Sequence, residues 1–578
     1  MEKLISCKEA ATAWNVTERW ISILCKNGKI EGAVKQGHRW MIPAGTPKPA
    51  DSRVRTGIYR KNITPSNLSL PVGISDFKKA STEYYYVDKT ALIKQLLDQK
   101  PLVSVFTRPR RFGKTLALDM LRVFFEKSAE DTSVYFQNKA IWSYGARYQE
   151  QQGQYPVIYL SFRNLRGDSF QQMQERIRFL IRQEYARHEE LAETERFSSL
   201  DRELYRSILS GVMNEGDLIS SLHLLCSFLY KNSGTAPVLL IDEYDAPVFH
   251  AMEKGYSEEL LAFFQNLYTE TFKDNQELSF AVLTGTSPIR QERIFGDFRN
   301  ARFFTVTDMA FQSCFGFTNE ELAPLCEYYH AEQHLDEIRV WYGGYQFGDV
   351  EITNPCSVMD DLSDGFTHRS SWPSSRDSEM IRQCFSLLSH GSMEHIRRLI
   401  GEETVTTQVD DFLDPAAEMT LSASYGQLLA RGYLSVLSRR LLGTGFCMSQ
   451  ISLPGKEVNA FLRKELLSFL SAVGALPASS VSVLQEALFV DDALRFQNAI
   501  KKILQESLSG RKSADEEYFQ LLYTGLYVVL DGYFEIKAQR ETANGRLIFQ
   551  LIPEDTSLQE TQFEITSQKI VRFMYGSH

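Results

Sequence analysis

Gly113-Lys114-Thr115 and Asp242-Glu243 are the residues of this 578-residue chain whose types and spacing point most directly to chemistry. The first triplet lies in TRPRRFGKTLALDML, after the apolar run LVSVF and at the head of an apolar helical pattern. A strand, a loop ending in Gly-Lys-Thr and a helix make an anion cradle, because the helix's first N–H groups lack partners and point at the ligand. In such a loop Lys114 bridges β- and γ-phosphate oxygens, and the Thr115 hydroxyl holds Mg²⁺. In VLLIDEYD, an apolar strand ends in adjacent acids: Asp242 to fix magnesium through water and Glu243 to polarise an attacking water. A lone Gly-Lys-Thr is no more than a turn that arises by chance. The two motifs together, in one alternating region, predict a nucleotide site.

One position departs from the phosphate-loop pattern G-x-x-x-x-G-K-[ST]: Arg108 stands where the first glycine falls. With Arg110 and Arg111 it makes an arginine-rich entry, and all three are expected to supply charge to phosphate. Thr284, in the strand LSFAVLTG, is placed to sense the γ-phosphate. Downstream, Arg290 and Arg293 are candidate arginine fingers.

The elements that must position these residues follow from periodicity. LVSVF, PVIYLSF, PVLLIDEYD and LSFAVLTG alternate with long amphipathic tracts, at 169–186 and 216–231 among others. That alternation predicts a parallel sheet covered by helices on both faces. The fold class expected is α/β: a P-loop NTPase with a parallel sheet, an N-terminal winged helix-turn-helix, a helical middle region and a small α+β C-terminal domain. The boundaries read as 1–45, a linker at 46–69, 70–320, 321–510 and 511–578.

At the amino end Ser6-x-x-Glu9 fits a capping box that starts a helix to about Trp14. Thr17 caps a second helix, ERWISILCKN, and AVKQGHRWMIP reads as a hairpin turning at Gln36-Gly37, with Trp40 packed. Residues 1–61 hold 12 Lys+Arg against 5 Asp+Glu, +7, leaving 51 against 68, −17, for the rest. A basic head on an acidic body places polyanion contact at that end. Apolar residues make up 43% and charged residues 24%, and no apolar run nears the roughly 20 residues that span a bilayer. With no signal-peptide pattern at the start, cytoplasmic residence and no membrane partner are expected.

LPVGISDFKKASTEYYYVDKT, FTRPRRFGKTLALDML, VLLIDEYDAPV, LTGTSPIRQERIFGDFRN and WYGGYQFG, in this order, resemble the bacterial AAA-ATPase-like proteins. Those commonly read R-P-R-R-F-G-K-[ST] and usually carry a PD-(D/E)xK nuclease-like domain at the carboxyl end. The resemblance implies ATP and Mg²⁺ as cofactors. It also makes Arg108 a family trait. Weaker likeness continues to the carboxyl end, where the family's nuclease strands read G-R-x-D and E-x-K. Here Ile548 replaces the aspartate and Thr566 the lysine, so nuclease activity is not expected; Lys569 would lie on a following helix, and nothing replaces the aspartate.

ISCKEAATAWNVTERWISILCKNGKIEGAVKQGHRWMIP is similar to the excisionase and MerR-type helix-turn-helix family. That likeness places Thr17, Arg19, Ser22 and Lys26 toward a DNA major groove, and Lys35, His38 and Arg39 on a wing against phosphate or the minor groove. The combined expectation is a DNA-associated ATPase that couples ATP binding or hydrolysis to conformational change, with an inactive nuclease-like domain. Its alternatives are an ATP-switched transcriptional regulator and an interaction scaffold of a mobile-element or defence system. A protein partner or self-association is compatible with all three.

Overall fold

The computed structural model describes residues 4–7, 10–11, 25, 30, 33–36, 39–43, 46, 68–368, 375–389, 392–443, 446–490, 492–508, 516–541, 546–554, 560–566 and 569–575. Two compact units emerge: Met1–Ser66 with Asp361–Thr367, and Asn67–Asp360 with His368–His578.

In the first unit β1 (Leu4–Ser6), β2 (Val34–Gln36) and β3 (Arg39–Pro43) form a sheet in the order β1-β3-β2. The hairpin predicted over AVKQGHRWMIP is present. Its last register pair is Gln36↔Arg39, so Gln36 belongs to the strand and not to the turn. Pairing of Leu4–Ser6 with β3 was not foreseen, because three residues carry too little periodicity to read. Cys7, Ala10, Ala11 and Cys25 are helical, and Cys7, Ala10, Cys25, Ile30 and Ile42 form a small core against which Trp40 packs. Of the groups expected to meet DNA, Lys35 is exposed on β2 and Arg39 opens β3. Thr17, Arg19, Ser22, Lys26 and His38 lie outside the described residues.

The second unit is built on a parallel sheet of β4 (Val103–Thr107), β5 (Val157–Ser161), β6 (Val238–Asp242), β7 (Phe280–Gly285) and β8 (Ala301–Phe304), in the order β5-β6-β7-β4-β8. All four pairings are parallel. The strands are apolar along their length because both faces are covered. Val103, Val105, Leu239, Ile241, Ala281 and Leu283 enter one core with the helices α2 (Phe170–Arg187), α3 (Glu215–Ser233), α4 (Ala246–Lys254) and α5 (Ser257–Phe272). Phe106, Val238, Leu240, Val282 and Phe304 enter the other, with α1 (Lys114–Phe125). Alternation of side chains across each strand makes that division.

Beyond β8 the described residues form many helices and two three-stranded antiparallel sheets. One joins β9 (Phe317–Thr318), β10 (Tyr345–Phe347) and β11 (Val350–Thr353). The other joins β12 (Val405–Thr407), β13 (Ser435–Leu441) and β14 (Cys447–Ser452). Among the helices here are α6 (Ser375–Ser389), α7 (Leu421–Ala430) and α8 (Lys456–Ala472). At the carboxyl end α9 (Glu516–Leu530) precedes an antiparallel meander, β15 (Phe534–Glu541), β16 (Arg546–Pro553), β17 (Thr561–Thr566) and β18 (Lys569–Tyr575). Lys569 therefore opens a strand, where a helix was expected, and it pairs with Thr566. Among the described residues no helix is long and apolar enough to cross a membrane.

Candidate functional site

The order of the sheet decides which side chains meet. Because β7 is inserted between β4 and β6, the loop after β4 and the acids after β6 flank the end of β7. Functional groups of parallel α/β sheets gather at the carboxyl ends of the strands for this reason. Asp242, the last residue of β6, is 1% exposed and accepts two hydroxyl hydrogen bonds. Thr115 donates to Oδ2 at 2.9 Å and Thr284 donates to Oδ1 at 2.6 Å. Three residues singled out from separate stretches of sequence thus share one carboxylate.

Residues 108–113 form the loop between β4 and α1. Gly113, at φ +83°, caps α1 in the left-handed region, and Arg111 is held at φ +66°. Lys114 turns back over the loop and donates to the carbonyls of Arg108 and Pro109, both at 2.8 Å. Burial pushes the Lys114 ammonium down to about 8, against the opposing pull of the Asp245, Glu243 and Asp242 carboxylates.

Arg108 corrects the sequence reading. Its N–H still pairs with the Gly285 carbonyl at 3.2 Å, so the residue extends β4. The side chain consequently follows Phe106 into the layer beneath the sheet. There it is fully buried, donating to the carbonyls of Thr107 at 2.8 Å, Phe304 at 2.7 Å and Phe311 at 3.3 Å. It lies over the rings of Phe315 and Phe347, 5.2 Å from each centroid. Only its backbone carbonyl faces the phosphate loop. Arg110 and Arg111, by contrast, line the cavity with Gly113, Lys114, Thr115 and Glu243.

Glu243 occupies a left-handed conformation, φ +55°, which is uncommon for a non-glycine residue and turns its carboxylate toward the cavity. Arg163 donates to it at 3.2 Å from just beyond β5. The pair forms because Ser161 and Asp242 are register partners. Asp245, which the sequence reading left unassigned although it lies within VLLIDEYD, is 3% exposed and accepts from the N–H groups of Thr286 at 3.0 Å and Ser287 at 2.7 Å. Burial raises its carboxyl above the usual range. It fixes the turn after β7 in place.

The cavity measures about 1310 Å³. Pro71, Val72, Ile74, Leu116, Pro355 and Met359 give it an apolar wall beside the loop, and Arg163, Arg166 and Arg431 lie elsewhere on its lining. Neither candidate arginine finger lines it: Arg293 donates to Asp414 at 2.9 Å, and Arg290 lies 4.0 Å from Glu292. In the carboxyl-terminal meander Ile548 is the register partner of Glu564, so an apolar side chain stands directly across from that acid.

Residues 71–295 match the family described as "Predicted AAA-ATPase". An "Uncharacterized protein in vnfD 5'region" of Azotobacter chroococcum mcd 1 is 27% identical over 297 residues. That match takes in 51% of this chain and 52% of the relative, so the chain spans about half the length of the curated relative it matches.

Proposed function

We propose that this chain binds ATP with Mg²⁺ in the cavity at the carboxyl ends of β4, β6 and β7, hydrolyses it, and couples the nucleotide state to conformational change while associated with DNA through its amino-terminal unit. The observation that carries this reading is the shared carboxylate of Asp242, which collects the hydroxyls of Thr115 and Thr284 beside the buried ammonium of Lys114. Thr115 and Asp242 present the hard oxygen donors that magnesium takes, and the ion would supply charge neutralisation for phosphate oxygens. Gly113 and the head of α1 cradle the phosphates, Lys114 bridges them, and Arg110 and Arg111 add charge from the loop. Thr284 senses the terminal phosphate through Asp242. Glu243 orients the attacking water as general base. The apolar wall at Pro71, Val72, Ile74 and Met359 fits a nucleobase face.

The charge of +7 on residues 1–61 and the exposed Lys35 support DNA as the partner of the first unit. Ile548 opposite Glu564 supports a nuclease-like domain that has lost its ion clamp and binds without cutting. One observation favours the second reading, an ATP-switched regulator with little turnover. Glu243 is engaged by Arg163, and a base held by a guanidinium is a poor proton acceptor.

The test is ATP binding and turnover by the full chain with Mg²⁺, with and without duplex and single-stranded DNA. Lys114→Ala should abolish binding. An unaltered Lys114→Ala protein, or a wild-type chain that binds no ATP, would sink the nucleotide reading. A rate and affinity indifferent to DNA would sink the coupling.

A further inference from the structure

Asp377 lies where two arginines from distant parts of the chain converge. It is in the first turn of α6, with its side chain only 5% exposed. Arg431 donates to its Oδ1 at 3.1 Å, and Arg110 reaches its Oδ2 at 3.4 Å. Arg110 comes from the phosphate loop and Arg431 from the end of α7. Gly432 accounts for their proximity: at φ +82° its backbone comes so close to the loop that a Cβ there would stand 2.8 Å from the Cβ of Pro109. The Arg431 guanidinium also lies 5.2 Å from the ring centroid of Phe249, on the helix that follows Glu243. Both arginines line the same cavity as Lys114, Thr115 and Glu243.

Two guanidinium groups meet on one carboxylate at the lining of the cavity that also holds Lys114. A triphosphate carries more negative charge than a carboxylate, and it offers arginine the same two-oxygen geometry. Next to Asp377, Ser378 donates to Glu465 at 2.9 Å and Arg382 donates to the other oxygen of that acid at 3.3 Å, so an adjoining face of α6 grips α8.

We propose that Arg431 is a phosphate ligand supplied from across the cavity, that Asp377 holds it and Arg110 in readiness, and that replacement of Asp377 by the terminal phosphate releases α6 and carries the nucleotide state to α8. This inference rests on the ATP reading above. It adds a residue that discriminates ATP from ADP and gives the conformational change a starting point. In Asp377 it identifies a positioning residue that never touches nucleotide.

Affinities of the full chain for ATP and ADP, measured for the wild type and for Lys114→Ala, Arg431→Ala, Arg431→Lys and Asp377→Asn, test it together with hydrogen exchange of residues 377–389 in the wild type. Arg431→Ala should weaken ATP on the order of tenfold, as expected for a lost charge-assisted hydrogen bond, and ADP much less. Arg431→Lys should recover part of the loss, and Asp377→Asn should bind ATP more tightly than the wild type. Exchange over 377–389 should rise with a non-hydrolysable ATP analogue and not with ADP; this readout needs no variant to fold. If the wild type binds no nucleotide, the ATP reading fails first and takes this inference with it. If Lys114→Ala abolishes binding while Arg431→Ala keeps the wild-type preference for ATP over ADP, the inference alone is overturned. Exchange over 377–389 that is identical with the analogue, with ADP and without nucleotide would overturn it equally.

Discussion

Replacing Arg108 by methionine separates a structural arginine from a phosphate ligand, because the side chain has similar length and no charge. The guanidinium donates to three buried carbonyls and lies over two aromatic rings. The two short bonds, to Thr107 and Phe304, are each worth about 1.5–3 kcal/mol as charge-assisted hydrogen bonds, and their acceptors are left unsatisfied when the donor goes. Set against that is relief from burying the cation. Burial pushes the group well below its ordinary value, to about 10, a shift that converts to roughly 3 kcal/mol. Contact with the two rings adds about 1 kcal/mol on the stabilising side. The balance is a loss of about 1–4 kcal/mol, or a fall of roughly 2–15 °C in the melting midpoint of a domain of about 250 residues. Thermal unfolding followed by near-ultraviolet circular dichroism measures the first quantity. Titration with a fluorescent ATP analogue, well below the midpoint, measures affinity, which should stay at the wild-type value. A variant that melts like the wild type yet binds ATP as weakly as Arg110→Ala would refute the assignment and return Arg108 to the phosphate site.

Two further outcomes follow from the same geometry. Lys114, lowered from 10.5 to about 8, must carry its proton to bind phosphate, so affinity should be constant below pH 8 and fall by up to about tenfold per unit above it. Binding at pH 8.5 should take up about 0.8 proton, read by calorimetry in buffers of different ionisation enthalpy. The sign for stability is the reverse. Between pH 8 and 10.5 the unfolded chain holds this proton and the folded chain does not, so this group's cost to stability shrinks as pH rises through that window. Glu243→Gln should keep ATP affinity and lower turnover about 10²–10⁴-fold, as loss of a general base does. Biological output that survives the substitution would favour the switch over the motor.

Local pattern made the sheet legible. Each apolar run became a strand within about three residues of its expected ends, and the helix after Gly113 began where the motif placed it. Thr115, Asp242 and Thr284 meet because strand ends in a parallel sheet converge whatever lies between them in sequence. Contacts made across distant segments were not legible. Asp377 and Arg431 carry no spacing signal, because the loop they approach is more than 260 residues away in the chain and is reached only through the close packing of Gly432 on Pro109. Arg163 went unread because its partnership with Glu243 depends on the register between β5 and β6. Short strands such as β9 and β12 fell below the length at which a period of two can be told from chance.

Arginine at position 108 is tolerated for a conformational reason. A glycine in a phosphate loop serves where the backbone must turn left-handed or come within contact of the ligand. Between β4 and α1 the positive φ values fall at Arg111 and Gly113, while residue 108, directly after the strand, still donates its N–H to the Gly285 carbonyl of β7. The conformational demand therefore lies three and five residues after the usual first glycine, and position 108 is free to carry a side chain. That side chain ties the carbonyls of Thr107, Phe304 and Phe311 together, joining the end of β4 to β8 and to the segment beyond it. The carbonyl of the same residue, with that of Pro109, receives the Lys114 ammonium. On the ATP reading proposed above, Arg108 acts on phosphate only by holding still the loop from which Lys114 works, and its replacement should loosen the loop before it changes the chemistry.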